Sequence, residues 1–419
     1  MSVVAVVGAQ WGDEGKGKIV ELVARAAALI AHWAGGYHSG QSLVVDGERL
    51  VFRVLPSSEL RQGKSVLLGQ GMAIDPRLLL DELDLLDRHG SMKGELLVDS
   101  RAQVVLPHHI ELDRLRAEAE GASGGPRHGL GPAYGDEVTR RGVRMCDLLD
   151  AERLRALVEA SIDAATPVIE ELDGEVPDLD ATVDGYAGFG ERLRARLADG
   201  SKRIGDLAGQ GALVVLEGPY GTMVDLDHGS YPYVVGASTV AGGACVGLGI
   251  APRTIGRVIG VAKAYATRAG AGPLPSEVTG ALAQHLSERG GELSPSSART
   301  RRCGMFDVAA LRYAVRVNGL SALALTKLDV LSGLESVPLC VGYELDGEVF
   351  QEPPPVGLAR VQPLVETLPG WTEPLADCRS WDELPAAARR YVETIEQNGG
   401  VKIEWIGVGS DRSQTIVRS

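Results

Sequence analysis

Between an apolar run, Val3-Val4-Ala5-Val6-Val7, and a helix signal beginning near Ile19, the chain gathers Gly8, Gly12, Gly15 and Gly17 with Asp13, Glu14, Lys16 and Lys18. Glycines lack a Cβ, so successive backbone N–H groups can converge on an anion at the helix start, and the lysines add charge. That is a phosphate cradle. It is not the Gly-x-x-x-x-Gly-Lys-Ser/Thr loop, because Ile19 follows Lys18 and the magnesium-binding hydroxyl is missing. Carboxylates beside phosphates repel them unless a metal ion or a proton transfer gives them a task, and Asp13-Glu14 sits inside the loop.

Other polar loops also follow apolar strand signals. Gly35-Gly36-Tyr37-His38-Ser39-Gly40-Gln41-Ser42 comes after the strand 29–33, and Glu217-Gly218-Pro219-Tyr220-Gly221-Thr222 after 212–216. Thr326-Lys327-Leu328-Asp329 ends the strand 320–325, and Gly409-Ser410-Asp411-Arg412 ends 401–408. The segment Ser294-Pro295-Ser296-Ser297-Ala298-Arg299-Thr300-Arg301-Arg302 holds hydroxyls and arginines suited to fork-shaped carboxylate or phosphate recognition, or else forms a solvated basic turn. Asp75-Pro76 predicts a capped helix reaching Arg88, and 43–54, broken at Asp46-Gly47, predicts a hairpin. Strand, loop and helix keep alternating, so the expected class is α/β, a large and mostly parallel central sheet flanked by helices, with ligands at the carboxyl ends of its strands. A helix-rich subdomain is expected over about 107–207 within a single domain spanning 1–419. Pro353-Pro354-Pro355 reads as a linker.

The 419 residues, 44% of them hydrophobic, suffice for a large core. With 42 basic against 56 acidic residues the net charge is -14, which argues against nucleic-acid or membrane-surface binding and requires any small anionic substrate to find a local basic pocket. The five cysteines are widely spaced without a Cys-x-x-Cys pair, so neither a zinc site nor a disulfide framework is indicated. Met1-Ser2-Val3 opens directly on a strand, without a basic leader, and no apolar run approaches membrane-spanning length. A soluble, cytoplasmic protein is the expectation.

The string from Gly8 to Lys18 resembles the amino-terminal signature of the adenylosuccinate synthetase family, and the likeness recurs in order along nearly the whole chain. It implies that family's P-loop-like GTP-binding architecture and its chemistry. GTP and magnesium serve to phosphorylate the 6-oxygen of IMP, and the amino group of L-aspartate then displaces the phosphate. By resemblance Asp13 is the base and a magnesium ligand together with the Gly40 carbonyl, while Gly12, Gly15, Lys16 and Gly17 hold the GTP phosphates. Asp329 reads guanine, Lys327 packs along the base, and Gly409 and Ser410 wall it. Ser296, Ser297, Arg299 and Arg301 correspond to the aspartate loop. Arg140 matches a residue that reaches the acceptor phosphate across a subunit interface, which implies a homodimer.

The resemblance breaks on the acceptor side. The family's Gly-Gly-His-Asn-Ala-Gly-His-Thr loop has a second histidine where this chain has Gln41, and His38 replaces the asparagine three residues earlier. Glutamine can donate a hydrogen bond but carries no charge, a loss of about 1–2 kcal/mol or roughly tenfold in rate. The threonine pair that grips the acceptor phosphate falls on Gly125 and Pro126, a base-contacting glutamine on Tyr220 and a further threonine on Val235. Proline has no N–H and valine no hydroxyl to offer. Two alternatives to IMP ligation therefore stand: a paralogue acting on another oxo-heterocycle, such as an unphosphorylated one, and a catalytically impaired nucleotide-binding regulator.

Overall fold

The computed structural model describes residues 2–36, 41–45, 48–56, 59–60, 62–90, 92–119, 127–292 and 301–418, with the backbone alone for 41–45 and 48–49. A 10-stranded sheet organises them. Its strands, in chain order, are β1 (Val3–Gly8), β2 (Leu29–His32), β3 (Val66–Leu68), β4 (Leu96–Asp99), β5 (Leu197–Ala198), β6 (Val214–Glu217), β7 (Arg257–Lys263), β8 (Ala322–Thr326), β9 (Ile403–Gly407) and β10 (Thr415–Val417). In space the order is β10-β9-β8-β7-β1-β6-β2-β3-β4-β5, with β10 antiparallel to β9 and every other neighbouring pair parallel.

Strand β1 lies between β6 and β7, and all six of its residues are buried. Val3, Ala5 and Val7 pack on one face with Leu29, Ala31 and Trp33, while Val4 and Val6 pack on the other with Ile19, Val20 and Ile30. Side chains alternate across a strand, so a continuous apolar run is what burial of both faces requires. Each valine so buried contributes about 1.5–3 kcal/mol. The outcome is a rigid mount for the loop that follows Gly8.

The carboxyl ends of the parallel strands share one edge of the sheet. His32, Glu217, Lys263 and Thr326 are the last residues of β2, β6, β7 and β8. Polar residues that ended strands in the sequence therefore meet along this edge. The expected helix from Pro76 runs to Arg88, and Asp75 Oδ1 accepts the N–H groups of Arg77 and Leu78 at 2.9 and 3.3 Å. The hairpin pairs 41–45 with 48–52.

Helices Pro107–Ala119, Leu130–Val138, Ala151–Glu171, Leu179–Leu193 and Gly200–Gly209 account for the helix-rich stretch. Leu154, Val158, Ile162, Val183 and Leu193 share an apolar cluster with Val66, Leu68, Leu79 and Val98, so the helices Ala151–Glu171 and Leu179–Leu193 pack on the β3–β4 side of the sheet. Two features had no counterpart in the sequence reading. Strand β5 is only two residues long, and a separate sheet pairs the antiparallel strands Leu334–Leu345 and Gln362–Trp371 around the proline-rich segment.

The polar loop beginning at Asp225 is held by a buried carboxylate. Asp225 Oδ1 accepts the N–H groups of Asp227 and His228 at 3.0 Å, and Oδ2 those of Thr239 and Val240 at 2.5 and 3.1 Å. Stranding those donors in the Asp225→Ala variant should lower stability by about 3 kcal/mol or more. Chemical denaturation followed by circular dichroism reads this directly, and a loss below about 1 kcal/mol would show that the loop closes without the carboxylate.

Candidate active site

The loop between β1 and the helix Lys16–Val23 is shaped by two neighbouring acids with opposite roles. Glu14 is fully buried and accepts the N–H groups of Gln10 and Gly12 at 3.2 and 2.9 Å and the Lys16 ammonium at 2.9 Å. It is a strut of the loop. A Cβ on Gly8 would lie within 2.6 Å of the Glu14 carboxylate and the Tyr220 carbonyl, so glycine is required there. Gly15, at φ 85, caps the helix in the left-handed region that glycine enters freely.

Asp13 also adopts a left-handed backbone, at φ 58, where an L-residue pays roughly 1–2 kcal/mol. Its side chain keeps partial exposure, and Oδ2 accepts the Nε–H of Arg301 at 2.7 Å. Burial works to raise its pKa, but the charge of Arg301, then Lys263, and also Lys16, outweighs burial and holds the carboxyl below its ordinary value. Asp13 is thus a persistent carboxylate.

Lys16 bonds the Tyr220 carbonyl as well as Glu14. Tyr220 is itself left-handed, at φ 49, which joins the loop after β6 to the loop after β1. Lys18 differs from the sequence reading, in which it added charge to the cradle. Its ammonium donates to the carbonyls of Gly409 at 2.8 Å and Gln414 at 3.1 Å, fastening the first helix to the carboxy-terminal loop.

Lys18 and that loop form one wall of a second corner. Thr326 Oγ1 donates to the Glu14 carbonyl at 2.6 Å, so the end of β8 is tied to the first loop. Lys327, left-handed at φ 57, donates to the Gly290 carbonyl and to Glu292, both at 2.7 Å. Asp329 follows in a short 3-10 turn, and its Oδ1 is buried without a hydrogen-bond partner among the described residues. Burial raises the Asp329 pKa, with Lys18, Lys327 and Arg289 pulling the other way. A buried acceptor left open beside cations can receive two N–H groups from a ligand.

The structure therefore brings Gly12, Asp13, Gly15, Lys16, Gly17 and Tyr220 together, and Lys327 and Asp329 with the 409–414 turn, where Ser410 is exposed. Arg301 joins the first group through Asp13. Val235 is half-buried, its N–H bonded to the Val224 carbonyl at 2.9 Å, and Arg140 is exposed at φ 64 past the end of the helix Leu130–Val138. His38, Gly40, Gly125, Pro126, Ser296, Ser297 and Arg299 lie outside the described residues, as does the Gln41 side chain.

Residues absent from the sequence reading also sit at this edge. Glu292 is fully buried among Lys263, Lys327, Tyr265 and Arg301. A lone lysine closing the apolar strand Arg257–Lys263 was a usable signal; a single glutamate after Gly290-Gly291 was not. Glu217, which the sequence placed at the head of a polar loop, is half-buried, and its buried Oε2 lies 4.0 Å from His32 Nε2. Burial pushes it up to about 7, against the pull of Lys16, and burial brings His32 down to about 4.

The family model described as Adenylosuccinate synthetase matches residues 5–416. A curated adenylosuccinate synthetase of Sorangium cellulosum (strain So ce56) is 46% identical over 422 residues, covering 100% of this chain and 99% of the relative. One of Myxococcus xanthus (strain DK1622) is 44% identical over 426 residues, covering 99% and 98%. The solved structure of the fully ligated adenylosuccinate synthetase from Plasmodium falciparum has a TM-score of 0.89 at 31% identity, with 100% of both chains covered.

Glu217 supplies a pH test. Its folded pKa lies above the unfolded value of 4.5, so the fold favours the neutral acid and loses stability as pH rises from 4.5 through about 7. The Glu217→Gln variant lacks this penalty. Its urea midpoint relative to wild type should rise between pH 5 and pH 8, and a constant difference across that range would contradict the protonated resting form.

Proposed function

The chain belongs to the adenylosuccinate synthetase family, a family of GTP-dependent C–N bond-forming ligases, and from that premise we propose that it joins L-aspartate to an IMP-type oxo-purine through a 6-phosphoryl intermediate, releasing GDP and phosphate. The observation that carries this reading is the 2.7 Å contact between Asp13 and Arg301. It joins the phosphate-cradle loop to the edge of the loop matched to amino-acid binding.

In the reaction, Asp13 takes the proton from the ring nitrogen beside the acceptor carbonyl, and the freed oxygen attacks the γ-phosphorus of GTP. Loop N–H groups from Gly12 to Gly17 and the Lys16 ammonium stabilise the charge spread over the transferred phosphoryl group. The amino group of aspartate then attacks the ring carbon that bears this phosphoryl oxygen, the C–O bond breaks so that phosphate leaves with the former carbonyl oxygen, and the new C–N nitrogen gives up one proton. Ser296, Ser297, Arg299 and Arg301 hold the carboxylates of aspartate. Asp329 accepts the guanine N1–H and exocyclic amine, a pair that adenine does not offer, and Lys327, Gly409 and Ser410 border the base. The open Asp329 Oδ1 supports this assignment.

Magnesium fits the donor set. It takes one or two carboxylate oxygens together with substrate phosphates, and the guanidinium beside Asp13 Oδ2 marks that corner as one that accepts positive charge. Asp13 and the Gly40 carbonyl would hold the ion, which when bound neutralises phosphate charge. Either Gln41 or His38 is assigned as the hydrogen-bond donor to the reacting oxygens, in place of the family's histidine.

The acceptor pocket comprises His38, Gly125, Pro126, Tyr220 and Val235, with Arg140 supplied by the second subunit of a homodimer. A second reading, an acceptor other than IMP, draws support from Tyr220 and Val235. Tyrosine in a left-handed turn and a valine without a hydroxyl replace a glutamine and a threonine of the family pattern. Among the described residues no helix is long and apolar enough to cross a membrane. We assign the enzyme to the cytoplasm and treat residues 1–419 as one catalytic unit.

The test is turnover of GTP, magnesium and L-aspartate with IMP, inosine and related oxo-heterocycles. IMP should yield the succinyl product, and the Asp13→Asn variant should lose about 10²–10⁴-fold in kcat while binding GDP nearly as tightly. Product from another heterocycle but not IMP would establish the second reading. GTP binding without phosphate release on any acceptor would instead identify a regulator.

A further inference from the structure

Glu292 closes one end of the segment matched to the aspartate loop, and Arg301 closes the other; the Arg301 N–H donates to the Glu292 carbonyl at 2.8 Å. The Glu292 carboxylate, fully buried, accepts from Lys263 Nζ at 3.0 and 2.9 Å, from Lys327 Nζ at 2.7 Å, from Arg301 Nη1 at 3.3 Å and from the Tyr265 hydroxyl. Lys263 is fixed in turn. Its backbone N–H donates to Gln10 Oε1 at 3.0 Å, and Gln10 Nε2 returns a bond to the Lys263 carbonyl at 3.2 Å, which anchors the cluster to the phosphate-cradle loop.

A carboxylate that merely neutralised a buried lysine would need one cation. This one gathers three, and they come from three segments with separate tasks: Lys263 from the end of β7, Lys327 from the guanine corner, and Arg301 from the amino-acid side. The pair with Lys263 is the sealed one, at 1% and 0% side-chain exposure. Lys327 is the most exposed member, at 34%, while Arg301, at 10%, makes its longer bond to Glu292 and its shorter one to Asp13. If Arg301 turns to an incoming carboxylate, two lysines still compensate Glu292, so the exchange leaves no uncompensated buried charge. Burial opposes the Glu292 charge, yet Lys263 and Lys327 hold the carboxyl at about 2, so it is ionised throughout the working range.

We propose that Glu292 is a positioning residue that joins Lys327 on the guanine side to Arg301 on the aspartate side, so that occupancy of the nucleotide site strengthens binding of the amino acid. The inference rests on the ligand assignments of the proposed function and adds a coupling between them. A guanine base that orders Lys327 also orders Glu292, and Glu292 then fixes the near end of the amino-acid loop and the resting place of the arginine. Linkage makes the effect reciprocal.

Calorimetric titration of the full-length protein with L-aspartate, magnesium and IMP present throughout, without and with saturating GDP, reads the coupling as a ratio of two Kd values. A uniform loss of affinity through a damaged fold cancels in that ratio. Wild type should bind aspartate about 5-fold or more tightly with GDP, and Glu292→Gln should bring the ratio below about 2. A ratio near 1 in wild type, or a ratio retained in Glu292→Gln, would overturn the proposal while leaving ligation intact. Absence of any aspartate binding would overturn it together with the proposed function. If Glu292→Gln fails to fold, Tyr265→Phe decides, since it removes one donor to the carboxylate and keeps every charge; a lowered ratio supports the coupling and an unchanged one refutes it.

Discussion

The site depends on one carboxylate sealed inside its own loop. Glu14 has no exposure, and its oxygens take two backbone N–H groups and an ammonium from residues no more than four positions away. A buried carboxylate is tolerable only when its acceptor capacity is filled in this way. The arrangement in turn demands the absence of side chains at Gly8 and Gly221, where a Cβ would fall within 2.6 Å of Glu14 oxygens. With Glu14 turned inward, Asp13 takes a left-handed turn and keeps partial exposure. Adjacent acids of nearly equal chemistry are thus divided between shaping the loop and the proposed reaction.

The same economy of charge governs the rest of the strand ends. The chain carries a net charge of -14, yet Lys16, Lys263, Lys327 and Arg301 are concentrated where three anionic ligands are expected. Each is held by a carbonyl or by a buried acid, chiefly Glu14 and Glu292. Cations fixed by such partners need little reorganisation when phosphate or carboxylate arrives, which is the requirement for electrostatic stabilisation of a charged transition state.

Much of this was legible in the sequence because the signals were local. The run Val3 to Val7 announces a doubly buried strand, Asp75-Pro76 a helix start, and the string Gly8 to Lys18 an anion-binding loop, each within a dozen residues. Glu14 was visible, but its inward turn was not, since Asp and Glu side by side look alike until the backbone angles are known. Lys18 was misread for a similar reason: its partners Gly409 and Gln414 lie almost 400 positions away. Glu292 gave no signal, because its meaning comes from Lys263 and Lys327, 29 and 35 positions away, and from the fold-back of Arg301. The antiparallel pair 334–345 and 362–371 went unread because exposed glutamates and prolines break its alternation.

The most direct measurement follows the acceptor oxygen. With IMP carrying 18O at the 6-position, plus GTP, magnesium and L-aspartate, ligation through a phosphorylated oxygen predicts that each phosphate released contains one 18O atom by mass spectrometry. Unlabelled phosphate formed at the rate of product would mean that the acceptor oxygen never bonds to phosphorus, and that Asp13 does not act as the base that frees it.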